Sequence, residues 1–172
     1  IGHAPITNYR VPAYNPPMPF ASIAEAIEEI KAGRMVVLVD DEDRENEGDL
    51  IVAGERVTPE AINFMIKFGR GVPFIPTTAQ RLAELQIPMM TKQNTARHGT
   101  AMAETVDAIR GTTTGVSAFD RAATVRVFID DLATPGDLAR PGHVIPLKAE
   151  RGGVLVRAGH TAVASSPLVP HN

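Results

Sequence analysis

The segment DDEDRENEGD, Asp40 to Asp49, places seven carboxylates and one guanidinium in ten residues, directly behind the apolar run MVVLV, Met35 to Val39. Like charges crowded in this way are relieved by a bound cation or by protonation. A solvated, self-repelling loop is the plainer reading of acidic runs in general. Attachment to a strand argues here for carboxylates held in place. A calcium loop of the EF-hand type does not fit: starting at Asp43 it would use Glu45, Glu47 and Gly48 as its third, fifth and sixth residues, but Gly54 stands where the closing glutamate belongs. A hard divalent ion such as magnesium needs only one or two of these carboxylates and leaves room for substrate oxygens.

Five histidines could complete such a site. His3 and His171 sit near the ends of the chain and His98 in a segment of mixed signals, so each reads as a surface residue. His143 in RPGHVIPL and His160 in RAGHT differ, because both are expected in glycine-containing turns beside an arginine. Around His160, Arg157, Gly159 and Thr161 could offer a guanidinium, backbone N–H groups and a hydroxyl to one phosphate.

The elements that must position these residues are legible in part. Residues 1 to 21 contain five prolines and read as an extended arm; residues 22 to 172 read as one domain. Ser22 with Glu25 forms a capping box, Ile23, Ala26, Ile27 and Ile30 follow at helical spacing, and Gly33 supplies the stop. Met35 to Val39 reads as a strand buried on both faces, with the apolar run LIVA, Leu50 to Ala53, resuming after the acidic segment. Thr58, Pro59 and Glu60 open a second helix that buries Ile62, Met65 and Ile66 and ends at Gly69. A short helix is expected over Thr78 to Leu85. The segment from Ile87 to Val106 mixes loop and strand signals. Ser117 with Asp120 reads as another capping box, with Ala118, Ala122, Val125 and Ile129 at helical spacing; TVRVFI alone would pass for a strand, but the cap favours a helix, and Gly152 to Arg157 reads as a short strand. Helices alternating with strands, without internal repeats, predict an α/β (α+β) domain in which helices layer on a mixed sheet.

Composition narrows the function classes. With 172 residues, 44% hydrophobic and 22% charged, the chain is of globular type. No apolar run is long enough to span a bilayer, and no signal peptide is recognisable, which predicts a cytoplasmic address. The absence of cysteine leaves oxygen and imidazole as the metal donors. The net charge of −3 combines the acidic segment with a mildly basic remainder, suited to a phosphorylated anion together with a divalent cation. An aromatic content of 5% and the lack of a basic stripe argue against nucleic acid.

Taken together, DDEDRENEGDLI, TTTGVSAFDRAATV, RPGHVIPL and GGVLVRAGHT resemble, in order and spacing, the 3,4-dihydroxy-2-butanone 4-phosphate synthase family of riboflavin biosynthesis, from about Ser22 to Thr161. The resemblance implies a lyase that converts D-ribulose 5-phosphate to 3,4-dihydroxy-2-butanone 4-phosphate plus formate with Mg2+ or Mn2+. It also implies a homodimer with active sites at the subunit interface, and a fused or partner GTP cyclohydrolase II. Carried over by motif, Glu45 and His160 are the metal ligands and Arg44, Glu45 and Asp49 contact the sugar. Arg157, Ala158, Gly159, His160 and Thr161 form the substrate-binding loop, and His143 is the catalytic histidine.

Some positions depart from the family pattern. Ala162 stands where a glutamate is usual, and the sequence is expected to lack the family's C-terminal segment with its later catalytic glutamate. Ala103 replaces an expected threonine, and GVPFIP, with Pro73 and Pro76, replaces a strand that usually contains cysteine. Each proline would remove a ladder hydrogen bond if that strand were central. Two readings follow: an active lyase, and a truncated or divergent homologue that binds metal and sugar phosphate, or serves as an oligomer or fusion partner, without turnover.

Overall fold

A computed structural model describes residues 20–39 and 47–149. Among the described residues the elements follow as α1 (Ile23–Lys31), β1 (Val36–Val39), β2 (Gly48–Ile51), α2 (Pro59–Phe64), β3 (Phe74–Thr77), α3 (Ala79–Glu84), β4 (Val106–Ala108), α4 (Ala118–Ile129) and β5 (Leu138–Lys148). β1 and β2 pair antiparallel, whereas β3, β5 and β4 form a second sheet in that order, with β3 parallel and β4 antiparallel to β5. The expected mixed sheet layered with helices is what the chain forms.

Four helix starts follow from their caps. Ser22 Oγ accepts from Glu25 N while Glu25 Oε2 accepts from Ser22 N at 2.7 Å, completing the box. Thr58 and Thr78 Oγ1 receive the N–H of Ala61 and Arg81, each at 3.1 Å. Ser117 Oγ receives Asp120 N at 3.0 Å. Each contact satisfies an N–H that the first helical turn leaves without an intrahelical partner. α2 continues through a π-helical turn, Met65–Gly69, and Arg70 takes the left-handed conformation behind it. At the other end of α4, the Arg81 guanidinium binds the carbonyls of Phe128 and Asp130, neutralising the helix C-terminus from α3.

Leu82, Leu85, Val106, Phe128 and Val144 lie at the centre of the core, between α3, α4 and the three-stranded sheet. Thr124, completely buried on α4, accepts Ala108 N at 2.9 Å and donates to Asp120 O at 2.9 Å, so the helix is tied directly to the end of β4.

Two expectations are corrected. β1 is not buried on both faces: Val37 is 63% and Val39 46% exposed, because β1 belongs to a two-stranded pair with α1 against it and its burial alternates. A continuous apolar run does not distinguish the two cases. His143 does not sit in a turn but within β5, which the sequence Arg-Pro-Gly disguises. The helix expected from Ser117 forms as α4, with Ala122, Thr124, Val125 and Phe128 in the core and Ala118 and Ile129 half-buried. The two prolines in GVPFIP are accommodated, since Pro73 precedes β3 and Pro76 lies on a strand paired only with β5 among the described residues. Ala103 is fully buried and donates its N–H to Pro146 O, so it fills the core. The expected arm and the strand Gly152 to Arg157 lie outside the described residues, apart from the arm's last two residues.

Candidate active site

The site begins with an irregularity in the pairing of β4 and β5. Val106 is opposite Val144 and Asp107 opposite Ala139, so Arg140 to His143 bulge out between two consecutive residues of β4. A bulge withdraws backbone N–H groups from the ladder, and buried donors need other acceptors. Gly142 N donates to Thr105 Oγ1 at 3.0 Å and His143 N to Asp107 Oδ1 at 2.9 Å. Position 142 must be glycine, because a Cβ there would overlap the backbone of Val106 and Asp107.

The same bulge aims the imidazole. His143 Nδ1 lies 2.7 Å from Asp107 Oδ2, with the His143 side chain 39% and the Asp107 side chain 11% exposed. A carboxylate only accepts, so Nδ1 carries the proton, and in the neutral ring Nε2 is the nitrogen with the lone pair. Asp107 therefore holds His143 twice, through backbone and ring, and fixes both its position and its tautomer. This is the arrangement of a histidine general base with an orienting carboxylate.

A loop between β4 and α4 closes over the carboxylate. Gly115, at φ +85°, packs so closely that a Cβ would overlap the Asp107 carboxylate, and only glycine combines that conformation with that approach. The loop is held by Asp120. Its Oδ2 accepts from Thr113 Oγ1 at 2.8 Å and from Gly115 N at 3.0 Å, and its Oδ1 from Thr113 N at 3.2 Å. Burial by itself raises the Asp120 pKa, but the hydrogen bonds from Thr113, Gly115 and Ser117 together outweigh it and hold the carboxyl below its ordinary value. Thr112 Oγ1 donates to Ala108 O at 2.5 Å and closes the loop's first turn.

Of the residues singled out in the sequence, the structure describes His143 and Asp49. They stand on different sheets: Asp49 is in β2, opposite Leu38, and exposed. Arg44, Glu45, Arg157, Ala158, Gly159, His160 and Thr161 lie outside the described residues. Among the described residues no group of three histidine, aspartate or glutamate side chains could hold a metal ion. The acidic run leaves β1 and re-enters β2 at two register partners, Val39 and Gly48. Sequence reasoning missed Asp107, Thr105 and Gly115. The one available signal was an acid inside the otherwise apolar strand Val106–Ala108. Asp120 was noticed only as half of a capping box, whereas its carboxylate serves the preceding loop.

The family model for 3,4-dihydroxy-2-butanone 4-phosphate synthase matches residues 24–167. The chain belongs to that family. Among its relatives, Riboflavin biosynthesis protein RibBA of Aquifex aeolicus (strain VF5) is 55% identical over 144 residues, 83% of this chain and 36% of that protein. The 3,4-dihydroxy-2-butanone 4-phosphate synthase of Neisseria meningitidis serogroup B is 52% identical over 139 residues, 81% of this chain and 38% of that protein. The chain thus spans well under half the length of these relatives. A crystal structure of a 3,4-dihydroxy-2-butanone 4-phosphate synthase in complex with two magnesium ions superposes with a TM-score of 0.82 at 44% identity, covering 84% of this chain and 68% of that one. The mixed α/β fold is shared with these synthase structures. No helix among the described residues is long and apolar enough to cross a membrane.

Proposed function

We propose that the chain is the lyase part of a 3,4-dihydroxy-2-butanone 4-phosphate synthase, converting D-ribulose 5-phosphate to 3,4-dihydroxy-2-butanone 4-phosphate and formate. The observation that carries this reading is the His143–Asp107 pair, a half-exposed imidazole whose tautomer and position are set by a carboxylate, in a chain of that family. His143 Nε2 takes the proton from C3 of the ketose, giving the 2,3-enediol from which the C1 hydroxyl leaves as water, and Asp107 stabilises the imidazolium that results. Arg44 and Asp49 bind the sugar hydroxyls, and Arg157, Ala158, Gly159, His160 and Thr161 enclose the phosphate through the guanidinium, backbone N–H groups and the threonine hydroxyl. Other acids of the Asp40 to Asp49 run move protons during dehydration and the skeletal shift that expels C4 as formate.

Glu45 and His160 are the proposed metal ligands. Carboxylate and imidazole without thiolate suit magnesium or manganese, and the Val39–Gly48 register supports the fit by bringing both ends of the acidic run together. The bound ion would act as a Lewis acid on the ketose oxygens. We further propose that residues 1 to 21 are an N-terminal arm to one catalytic domain, that the protein is a cytoplasmic homodimer, and that it works beside a fused or separate GTP cyclohydrolase II. Exposed Phe64 and Phe68, ring centroids 4.8 Å apart, support a covered face in the dimer.

The test couples formate production to a formate dehydrogenase, with and without magnesium and after excess chelator. Magnesium-dependent formate supports the lyase. Sugar phosphate binding without formate would replace it by the non-catalytic homologue.

A further inference from the structure

We propose that Asp120 is a positioning residue for His143: through Thr113 and Gly115 it holds the β4–α4 loop against the Asp107 carboxylate, which shields that carboxylate from water on one side and keeps it fixed on His143 Nδ1. The inference rests on the reading of His143 as the base. Three observations carry it. Asp120 is 2% exposed, sits in the first turn of α4, and has no cation among its hydrogen-bond partners; they are donors of the loop and the helix cap. A carboxylate is buried without a counter-charge only where donors surround it, and these donors organise one loop.

The second observation is contact. The residue that Asp120 fixes, Gly115, is buried and lies against the Asp107 carboxylate so tightly that one methyl group would not fit. The third is that Asp107 has both oxygens committed to His143, to its backbone N–H and to its ring. Water admitted over Asp107 would compete for the oxygen that selects the tautomer. Asp120 thus acts two steps from the imidazole and touches neither substrate nor base, and Thr124 fixes its backbone from the opposite side.

The experiment compares the wild-type protein with Thr113→Val, Thr113→Ser and Asp120→Asn. It uses 15N spectra of the histidines in the ligand-free protein, with His143→Gln to assign the resonance, together with formate kinetics and melting curves. Thr113 is exposed, so its substitution leaves the core intact. The wild type is expected to show His143 as a single tautomer with Nε2 unprotonated. Thr113→Val should show mixed tautomers and a kcat lower by about tenfold with KM nearly unchanged, Asp120→Asn a loss of up to about 100-fold, in the range found for residues that orient a first layer of functional groups. Thr113→Ser should restore both readouts. Lower melting temperatures with an unchanged tautomer and kcat would reduce Asp120 to a structural cap and overturn the proposal; should Asp120→Asn fail to fold, Thr113→Val decides. If the wild type releases no formate, the lyase reading fails, and the tautomer comparison still decides whether Asp120 controls His143.

Discussion

Asp107 grips His143 at two points, its Oδ1 on the backbone N–H at 2.9 Å and its Oδ2 on ring Nδ1 at 2.7 Å, across 36 residues of sequence. The ring cannot rotate away without breaking a bond to the same carboxylate that holds its backbone. Replacing Asp107 by asparagine keeps the shape, but an amide nitrogen directed at Nδ1 favours the wrong tautomer. We predict that Asp107→Asn lowers kcat by about 10⁴, the loss found for an orienting aspartate beside a catalytic histidine. Steady-state formate release checks this. Activity within tenfold of wild type would show that the tautomer is set elsewhere.

Gly142 makes the bulge possible. Gly142→Ala pushes a methyl group into the Val106 and Asp107 backbone, and the strands must separate. The expected cost is about 3 kcal/mol, the upper part of the range for overpacked sites. Denaturant unfolding measures it, and a change below about 0.5 kcal/mol, as at ordinary surface positions, would contradict the close approach.

Phe128, 1% exposed, joins α4 to the core. Phe128→Ala should cost about 3–5 kcal/mol, enough to unfold a domain of ordinary stability at modest temperature. The same unfolding experiment applies, and a loss under about 1 kcal/mol would mean that the site collapses without a cavity.

Two surface carboxyls contribute to an acid limit. The Ser22 backbone N–H and hydroxyl hold Glu25 below its ordinary 4.5, and the Thr134 backbone N–H and hydroxyl, with Arg110 nearby, hold Asp137 below 3.8. A carboxyl whose pKa is depressed by folding contributes stability that is complete above its unfolded value and lost as pH falls through the folded one. The melting temperature should therefore be flat from pH 7 to about 5 and then decline. The double variant Glu25→Gln, Asp137→Asn should start lower and decline less steeply. An unchanged slope in that variant would assign the acid loss to other groups.

Metal should stabilise the fold through the proposed ligands. A site that binds only the native state raises the melting temperature with ligand concentration, and Glu45→Ala or His160→Ala should each abolish the rise caused by magnesium. A thermal shift series measures this. Unchanged stabilisation in both variants would remove the assignment.

The sequence announces its helices through their caps. Ser22, Thr58, Thr78 and Ser117 each stand where the structure places an N-cap, because capping is local chemistry between residues three apart. It hides β5, because Pro141 and Gly142 are turn residues by every local criterion, and only the distant partners Thr105 and Asp107 make an extended bulge of them. The alternation in β1 is hidden for a related reason: the sequence Val-Val-Leu-Val carries no polar mark of its open face. His143 was legible through its motif, whereas Asp107 was not, since its role arises from a pairing register that no neighbouring residue encodes. Asp120 shows the same limit within one helix turn, where the spacing to Ser117 is right but the carboxylate faces the loop before it.

The most direct measurement of the central claim is the fate of a carbon-13 label placed at C4 of D-ribulose 5-phosphate, followed by NMR during turnover with magnesium. The label is expected in formate and not in the four-carbon phosphate, with Asp107→Asn slowing its appearance in proportion to kcat. A label retained in the four-carbon product, or a folded protein that binds the sugar phosphate and releases no formate, would contradict it.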